Sequence, residues 1–263
     1  MAAGAGAAGL ACAGDPCAAG LRVLPPEAGD AVGGRLDVRE DGMTGRRRAL
    51  VVGATGEVGG LAARLLADRG ASVALAGRDP ARLEERSRRL NGCPTRTFDA
   101  YDLERCAALA PWAAHALGGL DTVVVAVGVA GFGAAGDVPD AVAEHLVTVN
   151  ALAPMSVVRG ALRVLGAAST VAVVTGAIVD RPMRGTADYA AAKTALATWL
   201  GVVRREQRAH GVAIMDVRLP HLATGFADRA VTGTAPDMPA GADPAETIDR
   251  LLVTPVMAGA ARR

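Results

Sequence analysis

The sequence predicts an α/β protein built on a doubly wound parallel sheet. Three observations carry that reading. Apolar runs of strand length alternate with helical patterns from Ala49 to Leu252. One of those runs, Asp121 to Val127, is apolar almost without interruption, as in a parallel strand covered on both faces. And residues 49–66 read as a strand, a glycine turn and a helix in direct succession.

Taken in order, Ala49–Val52 is a buried strand rich in β-branched residues, and Leu61, Ala62, Leu65 and Leu66 recur at helical spacing up to Gly70. Ser72–Ala76 is a second strand ending in Gly77-Arg78, after which Asp79 or Pro80 opens a helix running through Leu83 to Leu90. Thr95–Phe98 is a third strand, closed by Asp99, and Leu103–Ala116 is helical. Asp121–Val127 is the fourth strand. Val138–Leu165 reads as one long helix with Asn150 inside it. Thr170–Val174 is the fifth strand, Thr186–Gln207 a helix and Ala213–Leu219 the sixth strand. A loop from Pro236 leads to a last helix, Pro244–Leu252. No internal repeat or second domain is visible.

Length and composition bound the function. The chain has 263 residues, enough for one α/β domain with a sizeable core. Net charge is +1 with both signs interspersed, which suggests no nucleic-acid surface. Arg46-Arg47-Arg48 reads as a solvated strand entrance. The four cysteines, Cys12, Cys17, Cys93 and Cys106, lack paired metal-ligand spacing and form no disulfide framework, which fits reduced thiols in a cytoplasm. Residues 1–45 are rich in Ala and Gly and lack periodicity, so they read as a flexible tail before a domain spanning 46–263. The tail has no basic start and no unbroken apolar stretch, unlike a signal peptide, and Met43 is an alternative start. No later stretch reads as long and apolar enough to span a bilayer, so no membrane partner is expected.

The glycine turn, Gly53-Ala54-Thr55-Gly56-Glu57-Val58-Gly59, carries the first functional signal. Glycine allows a tight turn and lets phosphates approach bare backbone, and the following helix N-terminus offers free N–H groups to a pyrophosphate. The spacing is G-x-x-G-x-x-G rather than G-x-G-x-x-G, and no lysine follows for a nucleoside-triphosphate loop. The plain alternative is a glycine-rich turn in an alanine-rich chain.

Tyr189-Ala-Ala-Ala-Lys193 opens the helix after the fifth strand. With the glycine turn and the element order, the chain resembles the short-chain dehydrogenase/reductase family over about residues 47–252. Tyr-x-x-x-Lys alone is common; its place in the chain makes it specific. The resemblance implies a Rossmann-type fold and a nicotinamide dinucleotide. It assigns Asp99 to the adenine, Gly128 to the cofactor side of the fourth strand, and Asn150, 39 residues before Tyr189, to the family's helix Asn. Pro220 follows the sixth strand, and Thr224 matches a Thr near the cofactor carboxamide. Tyr189 would exchange a proton at the substrate oxygen, its pKa lowered by Lys193 and a nicotinamide cation. Lys193 would bind ribose, and Asn150 would hold a water. The bland readings are a surface i,i+4 pair and a helix-bending Asn.

The chain departs from the family at the serine. Thirteen residues before Tyr189 stands Gly176, with Thr175 beside it, so Thr175 is expected to supply the hydroxyl. His221 follows Pro220 where many members have Gly, and either lines the substrate pocket or faces solvent. Gly77-Arg78 ends the second strand where NAD users carry an acid, so NADP is expected over NAD, with Arg82 a lesser candidate. Residues 221–243 would cover a small-molecule substrate. The family's last strand is missing or shrunken at Val253–Met257. A homodimer or homotetramer through the Tyr189 helix is expected from an apolar stripe of Leu196, Leu200 and Val203. Three functions stay open: an oxidoreductase on a carbonyl or secondary alcohol, a dehydratase or isomerase on the same scaffold, and a non-enzymatic dinucleotide sensor.

Overall fold

The computed structural model describes residues 46–259. The expectations for residues 1–45, including Cys12 and Cys17, lie outside the described residues.

Six parallel strands form one sheet: β1 (Arg48–Val52), β2 (Ser72–Gly77), β3 (Thr95–Thr97), β4 (Thr122–Val125), β5 (Thr170–Val174) and β6 (Ala213–Val217). Their order is β3-β2-β1-β4-β5-β6. The chain starts at the centre, winds out to β3, returns to β4 and winds out to β6. The reversal lies between β1 and β4, which opens a crevice at their C-terminal ends, the place where such sheets bind ligands. Alternate residues face opposite layers. Leu50, Val52, Val123, Val125, Val171 and Val173 pack in one apolar cluster, and Ala49, Val51, Val124, Ala172 and Val217 in another. The alternation explains why these strands read as continuous apolar runs: both faces are covered.

The helices are α1 (Glu57–Asp68), α2 (Pro80–Arg89), α3 (Leu103–Leu117), α4 (Asp140–Val147), α5 (Ala153–Ala161), α6 (Ala187–Gln207), α7 (Pro244–Ile248) and α8 (Thr254–Met257). Asp79 caps α2 by accepting from the amides of Ala81 and Arg82, with Pro80 at the first helical position. Asp102 caps α3 through the Arg105 amide, and that helix ends on Gly118 in the left-handed conformation.

Several expectations are corrected. The long helix is two, α4 and α5, joined by a π-helical turn over Thr148–Leu152 that contains Asn150. Asp140–Ala161 together span 22 residues with a mean hydropathy of 1.4, long and apolar enough to cross a bilayer, contrary to the sequence reading. More than half of that stretch is buried inside the protein, so its apolar residues serve the core. β4 ends at Val125, two residues early, because the chain leaves the sheet after the Ala126 amide bonds Val52 O. One expectation holds: the last strand is missing at Val253–Met257, which belong to a π-helical turn (Asp249–Val253) and α8. Arg48 is no mere solvated residue: it grips Asp121 through Nε and Nη2 at 3.0 and 2.8 Å, and its own amide bonds the same carboxylate at 2.9 Å. Arg46 Nε donates to Gly70 O. Finally, Leu196, Leu200 and Val203 pack inside this chain's own core, so they are no dimer surface. Val202 is the large exposed hydrophobic on α6.

Candidate active site

The glycine turn connects β1 to α1 at the crevice. Gly53 has φ +87°, and its amide and that of Ala54 both bond Ala76 O at 2.9 Å. A Cβ on Gly53 would lie 2.5 Å from Ala126 O, and one on Gly59 would lie 2.4 Å from Gly53 O. Both glycines are therefore required by the protein's own packing. Gly56 is different. It is exposed, and it caps α1 without a side chain. The first amides of α1, at Glu57, Val58 and Gly59, have no partner within the helix. Bare backbone and the positive end of a twelve-residue helix fit a pyrophosphate.

Across the crevice, α6 presents Tyr189 and Lys193 one turn apart. Lys193 is 3% exposed. Its Nζ donates to Val174 O at 3.3 Å and Val127 O at 3.4 Å, so it bridges the ends of β4 and β5. Burial pushes the ammonium down to about 8. Burial pushes the Tyr189 phenol up to about 12, the reverse of the lowering expected from the sequence, because no charge of the described protein offsets its desolvation. The Tyr189 ring lies 6.4 Å from that of Phe226. Asn150 is fully buried in the π-helical turn. Its Oδ1 accepts from the Val129 amide at 3.1 Å and its Nδ2 donates to Val129 O at 3.0 Å. Each end of the amide thus makes one bond to Val129, so the side chain clamps the loop after β4, and one N–H and one oxygen lone pair are left over for a further partner. A Cβ on Gly128 would lie 2.9 Å from Asn150 Oδ1 and 3.0 Å from Lys193 Nζ. Asn150, Lys193 and Gly128 therefore converge on one point.

The serine position is answered differently from the sequence expectation. Thr175 is 1% exposed, and its hydroxyl donates to Asp216 on β6. A hydroxyl has one proton, so it cannot also donate to a substrate carbonyl. The strand does bulge here, since the amides of Thr175 and Gly176 both bond Val217 O. Gly176 follows with φ +97°, and a Cβ there would meet only ordinary contacts beyond 3.7 Å. Asp216 also accepts from Arg218 Nε at 2.9 Å, and Arg218 pairs with Asp180 in the loop before α6.

At the end of β2, a Cβ on Gly77 would lie 2.5 Å from Thr55 Cγ2. Thr55 therefore enforces the glycine and leaves no room for an acid. Arg78 is exposed and makes no ion pair among the described residues. Arg82 pairs with Asp79. Asp99 stands on the same sheet edge, past β3, where it accepts from the Tyr101 amide. It borders an open depression with Tyr101 and Asp102.

Beyond β6, Pro220 and His221 are exposed. The His221 side chain makes no hydrogen bond among the described residues; its backbone carbonyl accepts from Ala242. Thr224 is buried, and its carbonyl accepts from Arg229, which also pairs with Glu57.

Sequence reasoning missed four residues at this site. Asp216 sits in an apolar strand with no motif to mark it. Arg229 and Phe226 lie in a loop without periodicity. Arg86 reaches Thr55 O from α2 and lies against Gly60, where a Cβ would fall 1.0 Å from its Nη1. The fourth glycine, unexplained by the turn, was the available signal for it.

The short chain dehydrogenase family matches residues 47–234. No curated protein matches the chain. Among solved structures, a short-chain oxidoreductase of Thermus thermophilus is 31% identical, covers 78% of this chain and 94% of its own, and superposes with a TM-score of 0.67. A dehydrogenase/reductase of Sinorhizobium meliloti is 23% identical with a TM-score of 0.70, covering 80% of this chain and 87% of its own. A short chain dehydrogenase of Burkholderia cenocepacia, in complex with NADP, is 23% identical with a TM-score of 0.70, covering 80% and 90%. The last two show the shared fold. The family match over most of the described residues, together with the Thermus relative, makes this chain a member of the short-chain dehydrogenase/reductase family and an enzyme dependent on a nicotinamide dinucleotide.

Proposed function

We propose that the protein moves a hydride between NADP and a carbonyl or secondary alcohol of a small molecule. The observation that carries this reading is Lys193. A buried ammonium held only by two long carbonyl contacts is costly for a fold and contributes little to it. Such a group, one helical turn from a tyrosine in a crevice, is placed for chemistry. When bound, the dinucleotide supplies or accepts the hydride. Tyr189 gives a proton to the substrate oxygen in reduction and takes it back in oxidation. Lys193 binds the ribose and, as an ammonium, favours the phenolate left behind. Asn150 fixes Val129, and with it the loop bearing Gly128, against Lys193. Gly56 and the first amides of α1 receive the pyrophosphate. Arg78 suits a 2′-phosphate, Thr55 closes the space an acid would need at Gly77, and the similar Burkholderia protein carries NADP. The free thiols Cys93 and Cys106 suit a cytoplasmic enzyme, and a dimer or tetramer through α6 would use the exposed face that carries Val202. The test is a panel of carbonyl compounds with NADPH and NADH, followed at the nicotinamide absorbance, with Tyr189→Phe as the control. No turnover on any carbonyl would sink the reading.

A second reading rests on the Thr175–Asp216 hydrogen bond. With Thr175 engaged and Gly176 bare, the substrate oxygen meets no serine-type donor beside Tyr189. That favours a dehydration or isomerisation on the same scaffold, detectable as product formed without net cofactor consumption.

A further inference from the structure

Glu57 is the first residue of α1, so its carboxylate stands at the helix end that would face a pyrophosphate. Its Oε1 accepts from Arg229 Nη2 at 3.0 Å. Arg229 lies 172 positions further on, in the 221–243 segment expected to cover the substrate. The same Nη2 donates to Thr224 O at 3.0 Å. A Cβ on Gly225 would lie 3.1 Å from Arg229 Nη1, so the guanidinium folds back over its own turn. Elsewhere the segment is tied by backbone. Val231 N donates to Ala130 O and Phe132 N to Thr232 O, while Ala242 N to His221 O closes the segment on itself. Glu57–Arg229 is the one side-chain ion pair, among the described residues, that joins this segment to the glycine turn.

Two facts of charge conflict with a passive role. A carboxylate at the first position of α1 repels a pyrophosphate approaching the same amides. And the pair is well exposed, with side chains 59% and 46% accessible, so holding the fold together is not its main effect. We propose that Arg229 is a pyrophosphate ligand and that Glu57 is its placeholder. In the free protein Glu57 keeps the guanidinium aimed at the glycine turn. On cofactor binding Arg229 exchanges the carboxylate for a phosphate oxygen, with which it makes the stronger, forked contact. The exchange draws the 224–229 turn, with Phe226 beside Tyr189, over the reacting end. Binding at the phosphates and covering of the substrate are thereby coupled. The inference rests on the glycine turn being the pyrophosphate site.

The test measures dissociation constants of NADPH, NADH, ADP-ribose and AMP for the full chain and for Arg229→Ala, Arg229→Lys and Glu57→Gln. Folding of each variant is checked by melting temperature. Arg229→Ala should weaken the three pyrophosphate ligands about tenfold, the scale of one charge-assisted hydrogen bond, and leave AMP unchanged. Arg229→Lys should recover part of the loss. Glu57→Gln should tighten the three ligands about threefold or more, because it removes the repulsion. Unchanged pyrophosphate affinity in Arg229→Ala, an equal loss for AMP, or weaker binding in Glu57→Gln would overturn the proposal. A preference for NADH with the Arg229 effect intact would instead overturn the NADP assignment and leave this inference standing.

Discussion

The hydroxyl of Thr175 donates its proton to the carboxylate of Asp216 across the β5–β6 pair. That bond takes Thr175 out of the line of donors facing a substrate. Thr175→Val should therefore keep turnover within about threefold of the parent. It should lower stability by about 1–3 kcal/mol, because a buried acceptor loses its donor. Tyr189→Phe should lower turnover by more than about a hundredfold, the reach of proton transfer in such reactions. Steady-state kinetics beside melting curves checks both. A hundredfold loss in Thr175→Val at unchanged melting temperature would return the hydroxyl to the substrate.

Cofactor choice turns on crowding as much as on charge. Arg78→Ala should weaken NADPH by about tenfold and leave NADH nearly unchanged. Gly77→Asp alone should not convert the enzyme, because its Cβ would meet Thr55 Cγ2 at 2.5 Å. It should weaken both cofactors and lower the melting temperature. Thr55→Ala with Gly77→Asp makes the space, and that pair should move preference toward NADH. Fluorescence titration with each cofactor distinguishes these outcomes.

Lys193 should trade stability for function. Its pKa in the folded protein is about 8, below the ordinary 10.5. Between those values the unfolded chain binds more protons, so stability rises with pH across that window. Below it the folded state carries the full cost of a buried charge. Lys193→Met should therefore melt higher than the parent at pH 7, by about 1–3 kcal/mol after lost contacts are allowed for, with the gap narrowing by pH 10. Turnover should be lost. Calorimetry of the cofactor-free proteins at both pH values reads this directly, and an equal or lower melting temperature at pH 7 would contradict it.

The opposite sign holds at Asp121. Burial works to raise its pKa, but hydrogen bonds from Arg48 outweigh burial and hold the carboxyl below its ordinary value. A lowered carboxylate stabilises the fold above the unfolded pKa, and that contribution is lost as pH falls through the folded value. Asp121→Asn should thus melt lower than the parent at pH 6, and the gap should close as pH falls through the lowered value of the folded carboxyl. Parallel curves down through that value would show that the charge is immaterial.

The sheet is legible in the sequence because covered parallel strands announce themselves as apolar runs. Thr170–Val174 falls where periodicity puts it. Tyr189 and Lys193 are legible because helical spacing alone places them together. What the sequence hides is direction and partnership. Nothing in Val-Val-Thr-Gly says that Asp216, 41 residues on, waits for the threonine proton. Nothing in a 28-residue helical pattern, Val138 to Leu165, marks the π-helical turn that aims Asn150 at Val129. The stripe on α6 shows that an apolar face is legible while its destination, core or partner, is not.

Gly53 is crowded by the backbone of Ala126 and Gly59 by that of Gly53, whereas Gly56 alone of the three is exposed. The two sorts of glycine answer to different masters. A descendant of this chain could abandon its dinucleotide altogether and still be held to glycine at 53 and 59 by its own folding. Position 56, where a Cβ would stand 3.3 Å from Gly53 O, is the least constrained of the three and the first that would drift. In searching for relatives that have lost the cofactor, the middle letter of the motif is the one to read.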